Sequence, residues 1–454
     1  MSNFIPTDRK TDYLLPPSVD DWLTQDHLAR FVVEVIDSLD LSRLTRQYAG
    51  RGSKAHHPAT LLAILVYGYC TGIFSSRKLE MATYDSVAFR YIAAGAHPDH
   101  DTLATFRRRF IDELPGLFVQ VLEMATEMKL LKLGTVCLDG TKIHANASRH
   151  SALSHGHIVK REAQLQQEVQ ELLALAEAAD TANTPDGMRL PKELQLREDR
   201  LAAMAAAKAK IATRAAQRYA REKAEFDEKM RKRQAKAKET GKKPGGKPPA
   251  PPEPGAKDSD QINLTDEESR IMKVPGGGFE QCYNAQAAVD AATMLVVATG
   301  LTQAPNDKQQ VTPMIKLLQE QAPKLGEVRT LIADTGYCSE KNILACEQAK
   351  MEPLIALARQ DHHPHWGERF AEPEPLQPDA TPMQAMAHRL ATQAGKAAYA
   401  LRKQTVEPVF GIIKSVMGFR QFSVRGLNKV TGEWNLVCLA WNVKRMAVLR
   451  RKFG

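Results

Sequence analysis

The stretch VCLDGTKIHANAS, Val136–Ser148, ends an apolar run on a lone carboxylate, Asp139, with Gly140 directly behind it. A carboxylate prefers water to the end of a buried strand unless something pairs with it. Asp139 is therefore either the first solvated residue of a turn or is held in place for a cation. A second run, LIADTGY at Leu331–Tyr337, ends the same way on Asp334, with Gly336 close behind. If the two runs are neighbouring strands, both carboxylates emerge from one sheet edge, where like charges repel unless a divalent cation lies between them. Mg²⁺ suits such a place because it takes oxygen ligands and keeps water; Mn²⁺ is expected to substitute. A third acid would complete a site for two ions about 3.5–4 Å apart, the arrangement suited to in-line displacement at phosphorus.

The third candidate is Glu407, in YALRKQTVEPVFGIIKSVMGFRQFSVRG, Tyr399–Gly426. Lys403, Glu407 and Lys414 are four and seven residues apart and so share one helical face. Cations beside a metal-binding Glu would neutralise DNA phosphates; the alternative is an exposed helix with favourable charge pairs. Pro408 directly follows Glu407, which predicts a kink or a new helix at that point.

Charge agrees with a polyanionic partner. The 454 residues carry 62 Lys and Arg against 53 Asp and Glu, a net charge of +9, and nucleic acid is the commonest partner of such a chain. Six scattered cysteines form no C-x-x-C pair, which excludes zinc ribbons and thioredoxin-like redox motifs and suits a reducing cytoplasm. The N-terminus MSNFIPTDRK has no apolar signal core and no run reaches membrane-spanning length, so a cytoplasmic, nucleoid-associated protein is expected.

Residues 1–130 read as helices. PDHDTLATFRRRFIDEL places Leu103, Phe106 and Phe110 on an inner stripe and Arg107, Arg108 and Arg109 at one end. This is either a helix-turn-helix-like DNA-binding module or a bundle with a solvated basic face. From Lys160 the chain is rich in Ala, Glu, Gln, Lys and Arg, predicting a helical hairpin; KETGKKPGGKPPAPPEPGAKDSD after it is expected to be disordered. NLTDEESRIM predicts a turn and short helix. QCYNAQAAVD and MLVVATGLTQ predict a β-hairpin, and DKQQVTPMIKLLQEQAPKLG a helix that Pro313 kinks or restarts.

In order and context these motifs resemble a DDE-type transposase of a bacterial insertion sequence. The resemblance rests on HPATLLAILVYGYCTGIFSSRKLE, PDHDTLATFRRRF, LDGTKIHANAS, NLTDEESRIM, YNAQAAVD, IADTGY, VEPVFGIIK and FRQFSVRG. It implies an α/β fold: a ribonuclease H-like mixed sheet flanked by helices, with an all-α N-terminal domain and a helical, partly disordered insertion. The expected divisions are 1–130 for DNA binding, 131–150 and 261–454 for the catalytic core, and 151–260 for the insertion. It implies Asp139, Asp334 and Glu407 as the metal-binding catalytic triad, Mg²⁺ as cofactor, double-stranded DNA as partner and a homodimer on DNA. Tyr399 and Arg402 keep the family's first spacing and Glu407 and Lys414 its last. Four residues rather than three separate Arg402 from Glu407, and Lys403 stands at the family distance, so either cation can hold that role. The alternatives are a metal-dependent nuclease without strand transfer, or an inactive DNA-binding protein.

Other candidates read as structural. Asp290 falls in a hairpin turn, Asp307 is placed as a helix N-cap, and Asp266, Glu267 and Glu268 as surface residues. The loop with His362, His363, His365 and Trp366 reads as mobile, with Trp366 available to stack on a base. Trp434 and Trp441, seven apart on one helix, read as core.

Overall fold

The computed structural model describes residues 18–48, 55–182, 190–241, 245–358 and 371–453. The loop at His362–Trp366 and the first ten residues, for which expectations were given, lie outside them. Residues 1–146 with 271–454 form one compact unit, and 147–270 a second.

In chain order, helices α1 (Leu28–Asp37), α2 (Ser42–Thr45), α3 (Pro58–Thr71), α4 (Ser76–Asp85), α5 (Val87–Ile92), α6 (His100–Arg109) and α7 (Leu114–Glu127) lead to strand β1 (Thr135–His144). The second unit holds β2 (Ala152–Ser154), α8 (His155–Ala182), α9 (Leu190–Thr240) and β3 (Gln261–Asn263). Then come β4 (Arg270–Lys273), β5 (Phe279–Asp290), β6 (Val296–Thr302), α10 (Val311–Leu325), β7 (Thr330–Ala333), α11 (Glu340–Gln348), β8 (Glu352–Ile355), α12 (Pro382–Ala391), α13 (Gln393–Gly411) and α14 (Leu427–Phe453).

The sheet is mixed, in the order β4-β5-β1-β7-β8, with β6 also on β5. β1 runs antiparallel to β5 and parallel to β7, and β7 parallel to β8. Helices flank it, as a ribonuclease H-like core requires. β1 does not stop at Asp139: the ladder continues to His144 opposite Cys282, because Thr141 and Ile143 keep the strand alternation going against a long partner. Beyond β1, Phe422 donates to the His144 carbonyl at 2.9 Å, so FRQFSVRG runs alongside the strand end.

α3 is apolar nearly all round, and Leu61 through Cys70 are buried. Pro58 takes its first helical position, where a missing N–H is harmless, and Gly72 at φ +85° closes it. α14 binds helices and sheet together. Its Trp434 donates to the Gln286 carbonyl at 3.0 Å and Trp441 to the Met294 carbonyl at 2.8 Å, both side chains being buried as expected. The Asn442 amide makes two 2.8 Å bonds to the backbone of Val296, satisfying strand groups that would otherwise be buried unpaired.

Three local expectations are corrected. NLTDEESRIM forms no helix: it spans the end of β3, a turn and the start of β4, and Asp266 is buried rather than exposed. Pro313 does not kink α10, because the helix starts at Val311 and its first turn needs no proline N–H. No new helix starts at Pro408: α13 continues through it and passes into a π-helical turn at Ile412–Val416.

In the second unit, the ion pairs Arg197–Glu168 and Lys208–Glu162 set α8 and α9 antiparallel. A small core of Ile158, Ala207, Ile211 and Ile262 lies at its base. Residues 245–260 form no helix or strand, yet Arg233 and Arg218 of α9 donate to the carbonyls of Gly246 and Gly255. No single helix among the described residues is long and apolar enough to cross a membrane.

Candidate active site

The parallel register of β1 and β7 pairs Leu138 with Ala333. Asp139 follows Leu138 within β1 and Asp334 follows Ala333 at the end of β7, so the two acids stand side by side on neighbouring strands. Asp139 Oδ1 accepts the Gly140 N–H at 2.8 Å, and Asp334 Oδ1 accepts the Gly336 N–H at 2.9 Å as the cap of a single turn. α13 crosses the Asp139 face of β1. Its Arg402 donates through Nη1 to Asp139 Oδ2 at 3.0 Å and through Nη2 to Glu407 Oε1 at 2.9 Å. One guanidinium thus spans the first and third acids. Lys403, the next residue, faces solvent. Lys414, in the π-helical turn, reaches back to β1 and donates to Thr141 Oγ1 and to the Lys142 carbonyl.

Burial pushes the Asp139 carboxyl up to about 6; Arg402 works against the rise, and Asp334 and Asp307 add to it. Burial lowers Lys142 and Lys414 from the usual lysine range, with nearby acids opposing the drop for both. Among the described residues no three His, Cys, Asp or Glu side chains stand close enough to hold one ion as placed. The donor chemistry nonetheless suits a hard divalent cation, since Asp139, Asp334 and Glu407 offer carboxylate oxygen alone.

Two family models match the chain: "Transposase domain (DUF772)" over residues 17–109 and "Transposase DDE domain" over residues 250–443. The chain belongs to the DDE-type transposases of insertion sequences. Neither a curated protein nor a solved structure gives a match. As a DDE transposase it is a DNA-acting enzyme of transposition, from a family that depends on divalent metal in general.

The three arginines at the end of the transposase's α6 fare differently. Arg107 turns inward, donating to Tyr69 Oη at 3.3 Å and to the Phe74 carbonyl at 3.0 Å. Tyr69 in turn donates to the buried Glu433 of α14 at 2.7 Å. Arg107 therefore ties α3, α6 and α14 together, its guanidinium spent on contacts inside the protein. Arg108 and Arg109 are exposed, Arg109 lying over the Tyr48 ring.

Sequence reasoning missed Asp307. It is not the cap of α10, whose N-cap is Gln310. Asp307 Oδ1 instead accepts from Asn284 Nδ2 at 2.6 Å and Gln286 Nε2 at 2.7 Å, with Lys142 Nζ 3.8 Å away. A signal was available: Asn284 and Gln286 share one face of an otherwise apolar strand, and buried amides need partners. Asp290 is structural, accepting from the N–H and hydroxyl of Thr293 in the hairpin turn.

Proposed function

We propose that this transposase cuts DNA at the ends of its own insertion sequence and joins the freed ends to target DNA. The reading is supported by one arrangement above all: Asp139 beside Asp334, with Arg402 linking Asp139 to Glu407, gathers acids from three distant chain segments. Asp139, Asp334 and Glu407 would hold Mg²⁺, with Mn²⁺ as a substitute, and two such ions would supply Lewis-acid stabilisation of the attacking and departing oxygens.

In the cut, a water oxygen bonds to phosphorus and the 3′-oxygen departs with the bonding pair. In the join, that 3′-hydroxyl bonds to a target phosphorus and the target's 3′-oxygen departs, so one phosphodiester forms for each one broken. The chain's own cations position the strand. Arg402 and Lys414 hold phosphates next to the acids, and Lys403, Arg108 and Arg109 grip the duplex farther out. Each phosphate so neutralised steepens the salt dependence by about 0.9 in log–log slope. Two ends must be handled together, which calls for a homodimer on DNA.

The test is a strand-transfer assay with Mg²⁺ and DNA carrying the inverted repeats that flank the gene. Joined products from the natural protein and none from Asp139→Asn are expected. Cutting that survives in Asp139→Asn removes the mechanism. Cut but never joined DNA replaces it with a purely hydrolytic nuclease on the same scaffold.

A further inference from the structure

A buried polar network running from β5 to the segments beside it serves a residue that the triad does not include. Asn284, Gln286, Tyr337 and Asn342 are almost wholly buried. Asn284 and Gln286 both donate to Asp307 Oδ1, Gln286 Nε2 also reaches Asn284 Oδ1 at 3.1 Å, and Tyr337 Oη donates to Gln286 Oε1. Asn342 Nδ2 donates at 2.7 Å to the carbonyls of both Lys308 and Tyr337, stapling the Asp307 loop to the turn that follows Asp334. Asn284 adds a 3.2 Å bond to the Ala304 carbonyl at the other end of that loop.

Burying four polar side chains is unfavourable unless every group is satisfied, and satisfied networks fix geometry. Here the geometry fixed is that of one carboxylate. All the hydrogen bonds arrive at Oδ1, and no described residue donates to Oδ2. A β-carbon built on Gly336 would lie 3.7 Å from Asp307 Oδ2 and 3.0 Å from Asp334 Oδ1, so these two oxygens flank the same glycine. The Lys142 ammonium also faces Oδ1, at 3.8 Å.

We infer that Asp307 is a fourth carboxylate of the cation site, held rigid by the Asn284–Gln286–Tyr337 network so that Oδ2 helps Asp139 and Asp334 retain the divalent ion. This rests on the three-acid reading above but goes beyond it, since Asp307 belongs to no part of that triad.

The full-length protein is titrated with Mn²⁺, the free ion being read by electron paramagnetic resonance, in the natural protein, Asp139→Asn and Asp307→Asn. Asparagine at 307 keeps an oxygen acceptor for the two amides, and circular dichroism checks each fold. Asp307→Asn is expected to weaken Mn²⁺ binding by about tenfold or more, the range for residues that support a metal site. In parallel, Fe²⁺ with ascorbate and peroxide is expected to cleave the natural backbone within 303–310 as well as near 139 and 334, which needs no variant. Unchanged Mn²⁺ affinity in folded Asp307→Asn, or no cleavage within 303–310, overturns the inference and leaves the triad standing. Mn²⁺ binding that also survives Asp139→Asn overturns both.

Discussion

A β-carbon added at Gly140 would stand 2.5 Å from Oδ1 of Asp307 and 2.2 Å from Nε2 of Gln286. Glycine weakens a strand interior, and here it marks a close approach that a side chain would block. The glycine behind Asp139 thus leaves room for the amides of β5 to reach Asp307 across β1. Gly140→Ala must force hydrogen-bonded, buried groups apart. We expect a loss of about 1–3 kcal/mol, read as a lower denaturant midpoint at unchanged slope. An unshifted midpoint would show that the network tolerates the methyl group.

Arg402 and Lys403 are adjacent but face opposite ways. Arg402 lies against Asp139 and Glu407 with its side chain 15% exposed, whereas Lys403 is in solvent. We expect Arg402→Ala to lower the cutting rate by about 100-fold or more, as loss of a preorganised donor at a reacting centre does. Lys403→Ala should leave the cutting rate of bound DNA intact and reduce the salt slope of DNA binding by about 1. Equal losses in rate from the two variants would contradict the assignment.

How much of this was legible varied with the range of the forces involved. Asp139 and Asp334 stood out because each breaks an apolar run, a local signal, and their adjacency followed once the strands were taken as neighbours. Trp434 and Trp441 declared themselves by a seven-residue period. Asp307 was misread because an Asn-Asp pair shortly before a helix resembles a cap; the amides that claim it lie on β5, more than twenty residues away. Arg107 was grouped with Arg108 and Arg109 by composition, although its partners on α3 and α14 could be found only in three dimensions. The turn and short helix expected in NLTDEESRIM gave way to strand pairing, which no local propensity encodes.

The raised Asp139 carboxyl makes the site a liability for the metal-free fold. Ionising this buried group is unfavourable, so its contribution to stability is greatest below the usual carboxylate range and is lost as pH rises through about 6. Against an ordinary value of 3.8, that loss approaches roughly 3 kcal/mol. Asp139→Asn cannot ionise. Without divalent metal, the melting temperature of the variant should rise relative to the natural protein as pH goes from about 4 to about 6.5 and keep a constant lead above that. A constant difference between about pH 4 and about pH 6.5 would show that Asp139 ionises as freely as in the unfolded chain.

Arg107 and Arg108 separate folding from binding on a single helix. Arg107 contacts Tyr69, which donates to Glu433, and that carboxylate also accepts the Ser423 N–H at 2.8 Å. Burial disfavours the charged form of Arg107, and Tyr69 and Glu433 outweigh it, keeping the guanidinium protonated. Arg107→Ala strips the compensating charge from a fully buried Glu433 and empties space between α3 and α14. We expect a loss on the order of 3 kcal/mol in unfolding free energy, because removing one partner of a buried charged network leaves the other uncompensated. Arg108 is exposed and, among the described residues, donates to Thr105 Oγ1 at 3.3 Å, so Arg108→Ala should unfold as the natural protein does while weakening DNA binding uniformly across sequences. Urea denaturation and DNA binding measured on both variants decide the matter. If Arg107→Ala proved as stable as Arg108→Ala, the buried chain from α6 through Tyr69 to Glu433 would not be what holds the helical region to α14.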